Sequence, residues 1–190
     1  MNNTEPPTEV LAAVPPSRRR VFVDTETTGL HAAAQAFELA WQSEDEMQPT
    51  TLILPHNLHA ADPAALQINQ YRERGIAQLA WATEHQIDDF RLAVTGANLI
   101  IANPVFDVPH LMTLLGFQVW HYRITDIESY AQAIFGDSNP PGMSIIYERL
   151  TQQGYRIPEP DHTAAGDVRT LVASFTALNH MGDTMREGRR

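Results

Sequence analysis

The sequence predicts an α/β fold, a mixed five-stranded sheet that opens as an antiparallel three-strand meander, continues with parallel strands and is flanked by helices. Three observations carry that expectation. Strand candidates at 21–30, 37–41 and 51–54 follow one another over short connections; from residue 98 onward apolar strands alternate with segments of helical period. A chain of 190 residues also suits one domain, able to bury about 70% of its unfolded surface without a disulfide or metal staple. We expect a lead-in over 1–17, a single domain over 18–180 and a tail over 181–190.

Residues 1–17 carry Pro6, Pro7, Pro15 and Pro16 and bury too little apolar surface to offset ordering entropy, so they read as disordered. Arg18 to Arg20 read as a solvated charge run ahead of the first strand, with a substrate contact as the alternative. That strand, Val21-Phe22-Val23-Asp24-Thr25-Glu26-Thr27-Thr28-Gly29-Leu30, ends with two carboxylates two residues apart. Side chains at i and i+2 of a strand leave on one face, so Asp24 and Glu26 point together, and Gly29 permits a sharp turn. Phe37 to Trp41 alternates large apolar with small or polar residues, and Thr51 to Leu54 supplies the next strand, with the acidic Ser43 to Glu46 as the turn.

Asp62-Pro63 is a cap followed by proline at the first helical position, predicting a short helix from Pro63 to about Tyr71. Thr83-Glu84-His85-Gln86 is a capping-box pattern, and Ile87, Phe90 and Val94 share one face of the helix it opens, before Gly96. Asn98 to Ala102 is apolar throughout and reads as a buried strand that delivers Asn103, Phe106 and Asp107 to the next helix start. Val119 to Thr125 is a further strand candidate. Asp126 then caps a helix carrying Ile127, Tyr130, Ala131 and Ile134, which the 136–142 loop breaks. A helix from about Ser144 to Gln153 ends at Gly154, and a last one turns Val168, Leu171, Val172 and Phe175 toward the core, fraying from Gly182 into a basic end.

The sequence has no Cys, which excludes disulfides, thiolate ligands and a cysteine nucleophile. No apolar run approaches the length of a membrane span, and the opening segment is not a signal peptide, so a cytoplasmic protein with no membrane partner is expected. The formal net charge of −10 argues against a wide basic groove, and every basic residue is Arg. No Gly-rich phosphate loop and no nucleophile elbow is present.

Two carboxylates forced together repel, and a hard divalent cation with oxygen ligands offsets that repulsion. Further carboxylates stand in Asn103-Pro104-Val105-Phe106-Asp107 and in His162-Thr163-Ala164-Ala165-Gly166-Asp167. His162 and Asp167 are five apart, about 140° around a helix, so one of them must lie outside it. The economical arrangement has Asp167 on the first turns facing the sheet and His162 on the preceding loop, with Asp161 or Thr163 as cap. Imidazole in general titrates near neutral pH, which suits it to general base catalysis.

These three motifs, in this order, resemble the DEDDh (DnaQ-like) 3'-5' exonucleases of the ribonuclease-H-like superfamily, over roughly residues 18–178. The resemblance implies a ribonuclease-H-like fold and hydrolysis of phosphodiester bonds from the 3' end of nucleic acid, single-stranded DNA first, releasing nucleoside 5'-monophosphates. It implies two divalent cations, Mg2+ or Mn2+, held by Asp24, Glu26, Asp107 and Asp167, with His162 as general base. It further implies that Thr27 meets the terminal 3'-hydroxyl through its backbone, that Leu30 wedges against the last base, and that Asn103 and Phe106 position the end. Members of the family often have His before the Asn of the second motif; this chain has Ala102. Implied partners are nucleic-acid 3' ends and a polymerase or other replication or repair protein. Two other readings stay open: an exonuclease for RNA ends or short oligoribonucleotides, and a catalytically silent protein-binding module of the same fold.

Overall fold

A computed structural model describes residues 18–188; the expected lead-in over 1–17 lies outside them. Three antiparallel strands come first: β1 (Arg20–Thr27), β2 (Ala36–Ser43) and β3 (Thr50–Ile53). After α1 (Pro63–Ile68) and α2 (Glu84–Val94) the chain forms β4 (Asn98–Ile101), α3 (Pro104–Leu115), β5 (Thr125–Asp126), α4 (Ile127–Phe135), α5 (Met143–Gln152) and α6 (Ala164–Glu187). The strand order is β3-β2-β1-β4-β5, with β4 parallel to both β1 and β5. The sheet is therefore the mixed five-stranded one that the pattern predicts.

Alternation along β1 divides the core into two layers. Val21 and Val23 face a layer with Trp41, Phe90, Leu99 and Leu111, which α2 and α3 cover. Phe22 faces the other, with Ile127, Ile146, Val168 and Phe175 from α4, α5 and α6. Period-two geometry then sends Asp24 and Glu26 to the side that α6 covers. On β2 the residues opposite them are Ala40 and Glu38. The small Ala40, fully buried, lets α6 come close over this part of the sheet.

Several elements depart from expectation. The alternation of β2 suggests one wet face, yet every residue from Phe37 to Ser43 is buried, because α6 roofs the polar side. The strand expected over 119–125 shrinks to Thr125–Asp126. Among the described residues, 119–121 make only two isolated backbone bonds, Gly96 N to Val119 O and His121 N to Ala97 O, and are held by the buried Trp120 instead. Helix α1 stops at Ile68, short of Tyr71. Gln70 takes a left-handed conformation (φ 51°), and Gln70 N and Tyr71 N return to the carbonyls of Gln67 and Leu66, a Schellman ending without the usual glycine. Nor does α6 fray at Gly182. That residue is buried where a Cβ would come within 3.1 Å of Ile134, and the helix continues to Glu187. Finally, Gly29 needs no left-handed backbone; it is small because His31 and Asp62 crowd it.

Candidate active site

Asp24 and Glu26 leave the end of β1 on one face, and Asp167 meets them from the first turn of α6. One carboxylate oxygen from each lies within 4.8 Å of the others. Glu26 is buried, and Asp24 and Asp167 are partly so. Asp107, in the first turn of α3, comes from the opposite layer and is not part of that triplet. Its Oδ1 accepts from Thr25 N at 3.1 Å and Thr25 Oγ1 at 2.6 Å, tying it to β1 one residue from Asp24.

Burial is the main electrostatic fact here. It pushes Asp24 well above the usual carboxylate range, with Asp107, Glu26 and Asp167 adding repulsion. It raises Glu26 to about 8, helped by Asp167 and Glu38 and opposed by the Arg74 guanidinium. Asp107 rises to about 7, less than burial alone would give, because the two Thr25 donors favour its anion. Asp167 is raised by burial too, against the charge of His162. Crowded oxygen donors with so little opposing positive charge are a fitting set for a hard divalent cation, which needs anionic oxygens at close quarters.

His162 lies outside α6, exposed and left-handed (φ 55°). A non-glycine residue holds such a conformation only if its neighbours impose it. Here Thr163 N and Oγ1 donate to Asp161 Oδ1 at 3.0 and 2.7 Å, Thr163 Oγ1 caps α6 by accepting from Gly166 N, and Asp161 N donates to Asp167 Oδ1 at 3.2 Å. The Asp161 carboxylate rests on Gly166, where a Cβ would sit 1.8 Å from Oδ1. His162, Asp167 and Asp24 line one cavity of about 280 Å³.

A second cavity, of about 290 Å³, opens on the Glu26 side and is lined by Thr27, Leu30, Phe106, Asn69 and Ile68. Thr27 is buried, its Oγ1 donating to Gly29 O; Leu30 is 83% exposed; Phe106 is half-buried against His110. Asn103 sits exposed at the head of α3, left-handed and making no side-chain cap bond. Sequence reasoning missed four residues. Thr25 anchors Asp107, and Asn69 Nδ2 donates to Thr27 O at 3.1 Å. Glu38, buried, pairs with Arg74 and accepts from Ala164 N at 3.2 Å, joining β2 to the start of α6. A glutamate alternating with Phe37 and Leu39 carried no signal of burial.

No family model and no curated protein sequence matches this chain. Solved nucleases share its fold. The RNase domain of the yeast Pop2 protein aligns with a TM-score of 0.65 at 11% identity, covering 87% of this chain and 78% of that one. The nuclease domain of 3'hExo, a DEDDh family member, bound to rAMP, aligns with a TM-score of 0.63 at 11% identity, covering 90% and 95%. E. coli exonuclease I in complex with a dT13 oligonucleotide gives 0.61 at 17% identity, covering 90% of this chain and 43% of that one, so the chain spans less than half of that protein. The fold is thus the ribonuclease-H-like fold found in DEDDh exonucleases. Among the described residues no helix is long and apolar enough to cross a membrane.

Proposed function

We propose that this chain is a metal-dependent 3'-5' exonuclease that hydrolyses phosphodiester bonds at nucleic-acid 3' ends, single-stranded DNA first, and releases nucleoside 5'-monophosphates. The observation that carries the reading is the convergence of Asp24, Glu26 and Asp167 within 4.8 Å beside a cavity that His162 also lines. Asp24, Glu26, Asp107 and Asp167 would hold two divalent cations, Mg2+ or Mn2+, which when bound supply positive charge against phosphate oxygens. His162, on its constrained loop, accepts the proton of the attacking water. The Glu26-side cavity receives the terminal nucleotide, with the exposed Leu30 against the base and Thr27, Asn103 and Phe106 around the sugar. RNA ends are the second reading, favoured by the RNase domain and the rAMP complex among the fold's relatives. Delivery by a polymerase or another replication or repair protein would supply affinity that a chain of net charge −10 gains little of from its own cations.

The test is digestion of 5'-labelled single-stranded DNA, duplex DNA and RNA with Mg2+ or Mn2+. A ladder shortening from the 3' end, abolished by EDTA and by Asp24→Asn or Asp167→Asn in folded protein, is the expected result. Wild-type rates in either variant, or no mononucleotide from any substrate, would overturn the assignment.

A further inference from the structure

We infer that the connection between α3 and β5 carries a second nucleic-acid contact, remote from the acidic cluster, in which Tyr122 stacks on a base of a single strand while Arg123 and Arg18 meet its phosphates; this rests on the exonuclease reading and deepens it. The connection is anchored at two points. Gly96 N donates to Val119 O and His121 N to Ala97 O, both at 2.9 Å, and the Trp120 side chain between them is buried. The side chains that follow turn outward: Tyr122 is 71% exposed, and Arg123 is exposed beside it. Tyr122 does not stand alone. Its ring packs against that of His121, centroids 4.4 Å apart, and the Arg123 guanidinium lies over it at 5.5 Å. Arg123 N also donates to His121 Nδ1 at 3.3 Å, so the three residues form one platform.

The platform is locally positive on a chain whose net charge is −10. Burial and the charges of Arg18 and Arg123 hold His121 below its ordinary range, and no carboxylate is among the charges that act on it. Among the described residues neither Arg18 nor Arg123 makes an ion pair, whereas Arg20, Arg74 and Arg149 each do. Two uncommitted guanidiniums beside packed rings match both parts of a nucleotide strand, its phosphates and the faces of its bases. An acidic peptide would satisfy the cations and leave the rings idle. Strand pairing places the platform. Arg20 stands opposite Asn98, and His121 bonds to Ala97, the residue before it. That is the start of β1, roughly 15 Å along the sheet from Asp24 at about 3.3 Å per residue. A strand whose 3' end lies at Asp24 reaches the platform only with several further nucleotides, so this contact favours long strands without touching the reacting end.

Fluorescence anisotropy of labelled thymidylate oligomers of three and fifteen nucleotides, with the full chain in EDTA at low salt, reads binding apart from turnover. The fifteen-mer is expected to bind about tenfold or more tightly than the trimer. Tyr122→Ala and Arg123→Ala should each weaken the fifteen-mer about five- to tenfold, and Tyr122→Phe should retain its affinity. Arg123→Ala should also make the log-log salt slope shallower by about 0.7, the share of one phosphate contact. Turnover of the trimer with Mn2+ should stay within about twofold of wild type in all three variants, since the platform and the acidic cluster are far apart. A fifteen-nucleotide abasic strand keeps the phosphates and lacks the bases, and wild type should hold it as weakly as Tyr122→Ala holds the thymidylate strand. Unchanged fifteen-mer affinity in Tyr122→Ala and Arg123→Ala would overturn the inference and leave the exonuclease reading intact. Equal binding of abasic and thymidylate strands, or full competition by polyglutamate, would overturn it too, because the platform would then read charge alone. Hydrolysis of neither oligomer would remove the exonuclease reading, a result that the anisotropy measurements distinguish from loss of the platform.

Discussion

Raising the pH of metal-free protein is expected to lower its melting temperature, and the carboxylates at the end of β1 set the size of the fall. Glu26 moves from an ordinary 4.5 to about 8 on folding, mainly because it is buried. Between those values the folded state binds more protons than the unfolded one, so stability is fully present below about pH 4.5 and is lost as pH rises through about 8. At about 1.4 kcal/mol per pH unit, ionising Glu26 in the fold costs on the order of 5 kcal/mol. For a domain of this size that corresponds to about 10–20 °C, at about 2–4 °C per kcal/mol. Asp107, raised to about 7, acts in the same direction. The two do not add simply, because each anion raises the cost of the next. Scanning calorimetry from about pH 5 to about pH 8.5, in EDTA and in Mn2+, measures it. Bound cations favour the ionised carboxylates, so the gap between the two curves is expected to widen with pH. Glu26→Gln should flatten the EDTA profile and stabilise metal-free protein at the alkaline end. A flat EDTA profile for wild type, or the wild-type slope in Glu26→Gln, would refute the reasoning.

Three further outcomes follow from the site. His162→Ala is expected to slow turnover by about 10²- to 10⁴-fold through loss of the base; because His162 is exposed, the melting temperature should not change, and both are read on the same preparation. Gly166→Ala puts a Cβ 1.8 Å from Asp161 Oδ1. The loop must move, costing about 1–3 kcal/mol in urea unfolding and turnover as well, since Asp161 and Thr163 hold His162 in place. Arg74→Ala leaves Glu38 buried without its cation, a loss of about 3 kcal/mol by chemical denaturation, part of which Glu38→Gln in the same chain should restore.

Much of this was legible in the residues themselves. The capping box at Thr83, the Asp62 cap, the alternation that points Asp24 and Glu26 together, and the separation that puts His162 off the helix bearing Asp167 are local properties. Each depends on a few neighbours in sequence and on backbone geometry, so each is readable without knowing what packs above it. Tertiary structure decided the rest. Glu38 is buried and paired because α6 crosses its face, through a bond to Ala164 N that spans 126 positions. Asp107 reaches β1 from α3, on the other layer, its Oδ1 held by Thr25 while its charge bears on Asp24. Gln70 turns left-handed where no glycine marks a helix end, since Tyr71 must reach Phe37, 5.0 Å away ring to ring. The sequence by itself determined which side chains could do chemistry and on which strand face they sit. Only the packing of distant segments decided how deeply they are buried, and burial sets how strongly their charges call for a cation.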